Sequence, residues 1–149
     1  MVKEVRLMKK PKVLVADDSE SSRLMAQYCL TQLGCESDFV NDGQETLNKL
    51  KKNHYDLIVI DWNMPHMSGR ETLIKAEEIL KELNRDQTAY VLVYSGLPMS
   101  HLNIPISKWV HVSGYLSKEF SPHKQMMVFK KYIDLVNRER QKRNGESAA

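Results

Sequence analysis

A chain of 149 residues, 42% hydrophobic and 28% charged, has the length and composition of one globular domain with a sizeable core. No apolar run approaches the ~20 residues of a membrane-spanning helix, and the basic start MVKEVRLMKK lacks the apolar stretch of a secretion signal, so a cytoplasmic location is expected. The net charge of +3 is divided: residues 1–12 and 123–149 each carry +4, while 13–122 hold 10 Lys and Arg against 15 Asp and Glu, and an acidic body with basic ends argues against a nucleic-acid partner, as the lack of an apolar run argues against a membrane one.

In chain order, KVLVA (12–16) is a short β-branched run that reads as a buried strand. The stretch 19–34 has a helix start in its serines, a stop in Gly34 and a stripe of Met25, Cys29 and Leu33 with Ala26 and Leu30 alongside. ESDFVN (36–41) is a weaker, outer strand, and GQETLNKLKK (43–52) a short polar helix with Leu47 and Leu50 inward. YDLIVID (55–61) is the second strong strand, and Trp62 after it is placed at the rim of the strand end. RETLIKAEEILKEL (70–83) is an amphipathic helix with Leu73, Ala76, Leu80 and Leu83 on one face. AYVLVYS (89–95) is the third strong strand and SGYLSK (113–118) a short fifth. PHKQMMVFKKYIDLVNRERQKR (122–143) is a long helix, with Pro122 in its first turn and Met126, Phe129, Ile133 and Val136 inward. Between strands four and five, residues 96–112 contain Pro98 and Pro105, so the crossover helix there is expected to be short or irregular; Trp109 is either an exposed anchor on this segment or packed beneath it.

Five strands alternating with helices make an α/β domain with a parallel sheet covered on both faces. The expected division is an N-terminal extension over 1–11, the folded domain over 12–140 and a polar tail over 141–149, disordered after about 142. Cys29 and Cys35 lack matched histidines and read as reduced thiols. The five histidines, at 54, 66, 101, 111 and 123, show no metal-binding spacing.

The carboxyl ends of parallel strands share one edge, where such folds bind ligands. Strand one ends in Asp17-Asp18, strand three in Asp61, strand four in Ser95-Gly96 and strand five in Lys118. Converging carboxylates repel one another, and a hard divalent cation offsets the repulsion. Asp18 and Asp61 are the expected direct ligands of Mg²⁺, with Asp17 direct or through water and the backbone carbonyl of Asn63 completing the set. An ionised carboxylate can accept a phosphoryl group, so Asp61 is the candidate acceptor, with Lys118 and the Ser95 hydroxyl neutralising phosphoryl oxygens. The Met64-Pro65 turn keeps the chain from closing over Asp61. Singly, each feature is as well explained by a helix cap, a turn or a solvated lysine; their concurrence at four strand ends carries the reading.

These stretches, D-W-N-M-P with Ser68-Gly69, VLVADDS followed by Arg23, VLVYSG and GYLSK, resemble the receiver domain of bacterial response regulators, chiefly the chemotaxis type, over about residues 12–136. The resemblance implies a flavodoxin-like, doubly wound sheet of order 2-1-3-4-5. It implies Asp61 as the phosphorylated residue, Asp17 and Asp18 as the acidic pair, Ser95 as the switch hydroxyl, Lys118 as the site lysine and Tyr115 as the switch aromatic. Mg²⁺, with Mn²⁺ as a substitute, is the implied cofactor. A histidine kinase or phosphotransfer protein is the implied donor, and a downstream protein the implied target through the 96–136 face, the chain acting as a monomer or weak dimer. Such a protein is no conventional enzyme; it catalyses its own phosphoryl transfer and autodephosphorylation, the latter tuned by Asn63 and Gly96. Two departures stand out: Glu119 replaces the proline that usually follows the lysine, and the prolines of 96–112 alter the partner-facing segment.

Other classes fit less well. An aspartyl-phosphate hydrolase of the haloacid dehalogenase type needs an Asp two residues after the nucleophile, where this chain has Asn63. A flavin carrier needs a phosphate-cradling loop after strand one, where acidic DDSE stands. A protein-binding module on the same fold, independent of phosphorylation, is the remaining alternative.

Overall fold

A computed structural model describes residues 9–83, 89–104 and 110–148. Five parallel strands, β1 (Lys12–Ala16), β2 (Glu36–Val40), β3 (Leu57–Ile60), β4 (Ala89–Ser95) and β5 (Val110–Ser117), form one sheet of order β2-β1-β3-β4-β5. The helices are α1 (Glu20–Gln32), α2 (Gly43–Lys52), α3 (Gly69–Glu82) and α4 (Pro122–Ala148). Among the described residues no helix is long and apolar enough to cross a membrane.

The three continuous apolar runs become the three central strands because both their faces are covered. Leu14, Ile58, Ile60, Val91 and Val93 point to one face and pack with Leu47, Leu50, Leu73, Ala76 and Leu80 of α2 and α3. Val13, Val15, Leu57, Val59, Leu92 and Tyr94 point to the other, against Ala26, Cys29 and Leu30 of α1 and Phe129, Ile133 and Val136 of α4. Helix starts follow side-chain capping: Ser19 accepts from the Ser22 N–H, Asp42 from Glu45 and Ser68 from Glu71.

The crossover from β4 to β5 holds, among the described residues, a single 3-10 turn at Met99–His101. Beyond it the chain runs extended, with Leu102 and Ile104 half-buried against the core and the Asn103 carbonyl accepting from Arg70 Nε at 2.9 Å. Residues 105–109, with Pro105 and Trp109, lie outside the described residues, as do 1–8 of the N-terminal extension.

Four expectations are corrected. β5 starts at Val110, three residues early, and its register on β4 shifts between Val91 and Leu92, so the alternation there is broken. Leu83 falls at the C-cap of α3 and is exposed rather than on the buried face. Trp62 is buried in the core, not at the rim. The residues after about 142, expected to be disordered, continue α4 as far as Ala148. Arg140 fastens that helix, pairing with Asp56 and donating to the Lys9 carbonyl, and Lys142 pairs with Glu139 one turn away.

Candidate functional site

The site forms where β1 and β3 end side by side. Ala16 pairs with Ile60, so Asp17 and Asp61 leave the sheet at one level, and the Asp61 N–H donates to the Ala16 carbonyl at 2.9 Å. Asp17 and Asp61 are buried and Asp18 is exposed at the mouth. One carboxylate oxygen from each of the three lies within 4.8 Å of the others. From β5, Lys118 reaches across, its Nζ 2.8 Å from Asp17 Oδ2 and 3.5 Å from Asp61 Oδ2.

Backbone contacts fix these positions. Arg23 Nη1 donates to the Asp17 carbonyl at 2.8 Å, and Asp17 Oδ1 accepts from the Ser19 N–H at 2.9 Å, tying the acidic pair to the start of α1. The Lys118 N–H donates to the Ser95 carbonyl at 2.9 Å, joining β5 to β4 beside the site. Ser95 is buried, and its Oγ accepts from the Leu97 N–H at 3.0 Å, with its proton given to no acceptor among the described residues. The Tyr115 hydroxyl is turned against the carbonyls of Ser95 and Leu97. Asn63 is exposed above Asp61, and its N–H meets Asp61 Oδ1 at 3.4 Å. A Cβ at Gly96 would meet no heavy atom within 4 Å, so the space above that loop is open.

The loop from β3 to α3 depends on Gly69, which the sequence reading used only as part of the Ser68-Gly69 match. The Gly69 N–H donates to the Trp62 carbonyl at 2.8 Å, and a Cβ at Gly69 would fall 2.4 Å from the Asp61 carbonyl oxygen and 3.0 Å from the Trp62 ring. Only glycine lets the loop fold back this closely, and that closure buries Trp62. His66, inside the loop, takes the left-handed conformation with φ 69°. A Gly69→Ala protein is therefore expected to be less stable by ~1–3 kcal/mol, measured by urea unfolding, because backbone must move to admit the methyl group; unchanged stability would show that the loop yields freely.

The electrostatics are those of an anionic cluster with one cation. Burial first, and the Asp17 charge second, push the Asp61 carboxyl up to about 7, against the pull of Lys118 and the Asn63 N–H. Asp17 Oδ2 lies 2.8 Å from the Lys118 ammonium but has no hydrogen-bond partner among the described residues. A fully buried, unsatisfied carboxylate oxygen facing two more carboxylates suits a hard divalent cation with oxygen ligands. No such group is found elsewhere among the described residues. The geometry thus joins Asp17, Asp18, Asp61 and Lys118 directly, and places Ser95 at the end of β4, Tyr115 within β5, and Gly96 and Asn63 on the loops around them.

A doubly wound parallel sheet with an acidic pocket at its central strand ends defines a class of α/β domain that holds charged ligands at that edge. The chain belongs to the response regulator receiver domain family, whose model matches residues 13–129. It is 40% identical over 83 residues to the chemotaxis protein CheY-3 of Vibrio cholerae, a match that takes in 54% of this chain and 64% of that protein. It is 39% identical over 74 residues to the sensor protein EvgS of Escherichia coli, covering 50% of this chain and 6% of EvgS. The chain thus spans under two thirds of the length of either relative. Among solved structures, the chemotaxis response regulator CheY4 of Vibrio cholerae superposes with a TM-score of 0.66 at 30% identity, covering 84% of this chain and 99% of that one.

Proposed function

We propose that this receiver domain is a phospho-accepting switch of a two-component system, taking a phosphoryl group on Asp61 from a histidine kinase or phosphotransfer protein. The observation that carries this is the buried Asp61 carboxylate held between two acidic side chains and the Lys118 ammonium. An Asp61 oxygen attacks the donor phosphorus, the bond from phosphorus to the donor's leaving atom breaks, and the leaving group departs with the electron pair. An acyl phosphate results. Lys118 neutralises one phosphoryl oxygen, and Ser95, whose hydroxyl proton goes to no acceptor among the described residues, donates to another.

Asp17, Asp18, Asp61 and the Asn63 carbonyl would hold Mg²⁺ or Mn²⁺. The ion, when bound, supplies positive charge against the phosphoryl oxygens and keeps Asp61 ionised. In the phosphorylated form the Ser95 hydroxyl is drawn toward the phosphoryl group. Tyr115, already bonded to the carbonyls of Ser95 and Leu97, registers that movement on the surface formed by residues 96–136. A downstream protein reads that surface. The soluble, cytoplasmic setting expected from the sequence suits this role.

The test is incubation of the protein with Mg²⁺ and acetyl phosphate, followed by intact mass. Gain of one phosphoryl group, removable by hydroxylamine as acyl phosphates are, is the expected result. No gain, under conditions that load a control receiver, would leave a phosphorylation-independent binding module. The open space at Gly96 leads to a second expectation: water reaches the acyl phosphate freely, so its lifetime is well below many hours. A Cβ at Gly96 meets no neighbour, and a Gly96→Tyr substitution should lengthen that lifetime roughly fivefold by excluding water. An unchanged half-life would move the water path elsewhere.

A further inference from the structure

Among the described residues, Lys118 is the one cation within reach of both buried carboxylates, yet the turn that carries it has no proline to stiffen it, since Glu119 follows. What does brace the turn is a polar pair that lies away from the carboxylates. Gln125, in the first turn of α4, is 4% exposed, unusual for a glutamine at the start of a helix. Its Nε2 donates to the Phe120 carbonyl at 2.9 Å and to the Lys118 carbonyl at 3.3 Å. Its Oε1 accepts from the Tyr94 hydroxyl at 2.7 Å. Rotating the amide by a half-turn would set its oxygen against two carbonyl oxygens, so the network admits one orientation. Tyr94 is itself buried on β4, beside Ser95, and its ring lies beneath the ammonium of Lys118, with Nζ 5.4 Å from the centroid.

We infer that Tyr94 and Gln125 are positioning residues for Lys118: the amide fixes the main chain of residues 118–120 to β4 and α4, and the aromatic ring supports the ammonium from below, so that it points at Asp17 and Asp61. This rests on the proposed phosphoryl chemistry for its consequence but not for its geometry. Lys118 has a flexible four-carbon stem and would otherwise find lower-energy exposure to water, being at a mouth shared with an exposed Asp18. Because Gln125 opens α4, the same pair ties the site to the helix whose exposed side belongs to the proposed partner surface.

Two readouts separate this role from plain packing. The first needs no phosphorylation: amine acylation followed by mass spectrometry, comparing Lys118 with the half-buried Lys12 and the exposed Lys124. In Gln125→Leu, which keeps the volume and removes all three hydrogen bonds, labelling of Lys118 should rise at least about threefold over the parent while Lys12 stays unchanged. In Tyr94→Phe, which keeps the ring and removes only the hydroxyl, the rise should be smaller but in the same direction. The second is the initial rate of phosphorylation by acetyl phosphate with saturating Mg²⁺. That rate should fall ~10-fold in Gln125→Leu, because a displaced ammonium no longer meets the reacting oxygens. On a Lys118→Ala background the same substitution should cost less than about twofold, since the brace then has nothing to hold. Labelling at Lys118 that stays at the parent level in both variants, or that rises in step with Lys12, overturns the proposal. Should Gln125→Leu not fold, Tyr94→Phe decides it alone by the same measurement. If the parent takes no phosphoryl group, the proposed function falls while the labelling still settles the brace.

Discussion

An Asp61→Asn protein should take no phosphoryl group from acetyl phosphate and should also be more stable than its parent at pH 8 in EDTA. The first effect follows because an amide oxygen is no nucleophile at phosphorus under these conditions, so the mass gain expected of the parent disappears. The second follows from linkage. The Asp61 carboxyl titrates at about 7 in the folded chain, against an ordinary 3.8. Between those values the folded form binds more protons than the unfolded one, so stability falls as pH rises through the window, and the penalty is complete above about 7. An asparagine side chain escapes it. Three units correspond to about 4 kcal/mol, and since Asp17 and Lys118 share the titration, roughly half of that is expected. The advantage of the variant should vanish below about pH 4, where both the folded and the unfolded parent carry a neutral Asp61. It should also shrink when Mg²⁺ is added, because the ion binds only the folded parent's intact cluster and stabilises it by mass action. Urea unfolding at pH 4 and pH 8, with and without Mg²⁺, measures all of this. An Asp61→Asn protein less stable than the parent at pH 8 in EDTA would show that the buried carboxylates do not repel.

Much of the fold could be read because its signals are local. β1, β3 and β4 are buried on both faces, so their apolar runs stand out from the alternating polar helices. Helix starts carry their own caps at Ser19, Asp42 and Ser68. The candidate site was legible for a related reason: parallel strands of known direction put their last residues on one edge, and Asp17, Asp18, Asp61 and Lys118 follow directly at the ends of theirs. Their convergence follows from topology rather than from any one motif.

What escaped depends on tertiary contact. β5 was shortened because its register shift and Gly114 break the two-residue period; a Cβ at Gly114 would run into the hydroxyl of Tyr132, a neighbour no sequence window contains. Trp62, large and next to an acid, read as a rim residue, and its burial is set by the missing side chain of Gly69, seven positions on. Gln125 drew no notice because a polar residue in a helix's first turn usually faces solvent. Its burial becomes evident only when Tyr94, 31 residues earlier, is placed beneath it. α4 was ended near 143 because its last residues are polar and bury little; Arg140 nevertheless ties its late turns to the Lys9 carbonyl across 131 positions of sequence.

Removing the Lys118 side chain separates the two parts of the site's electrostatics. In Lys118→Ala the fully buried Asp17 loses its only counter-charge among the described residues, and Asp61 loses a contact at 3.5 Å. An uncompensated buried carboxylate costs stability, and because Lys118 is partly open to water the loss should be about 2 kcal/mol at pH 8 in EDTA, below the range for a fully enclosed pair. Mg²⁺ should restore more of that in the variant than it adds to the parent, since the carboxylates then have no ammonium competing for them, and its affinity should be no weaker. Phosphorylation should nevertheless slow by about a hundredfold even at saturating Mg²⁺, the usual cost of deleting one fixed donor to an oxygen whose charge rises in the transition state. Calorimetric titration with Mg²⁺ and the initial rate of mass gain read the two quantities independently. A variant that binds Mg²⁺ as well as the parent and is phosphorylated just as fast would remove Lys118 from the chemistry, leaving it only as the neutraliser of Asp17.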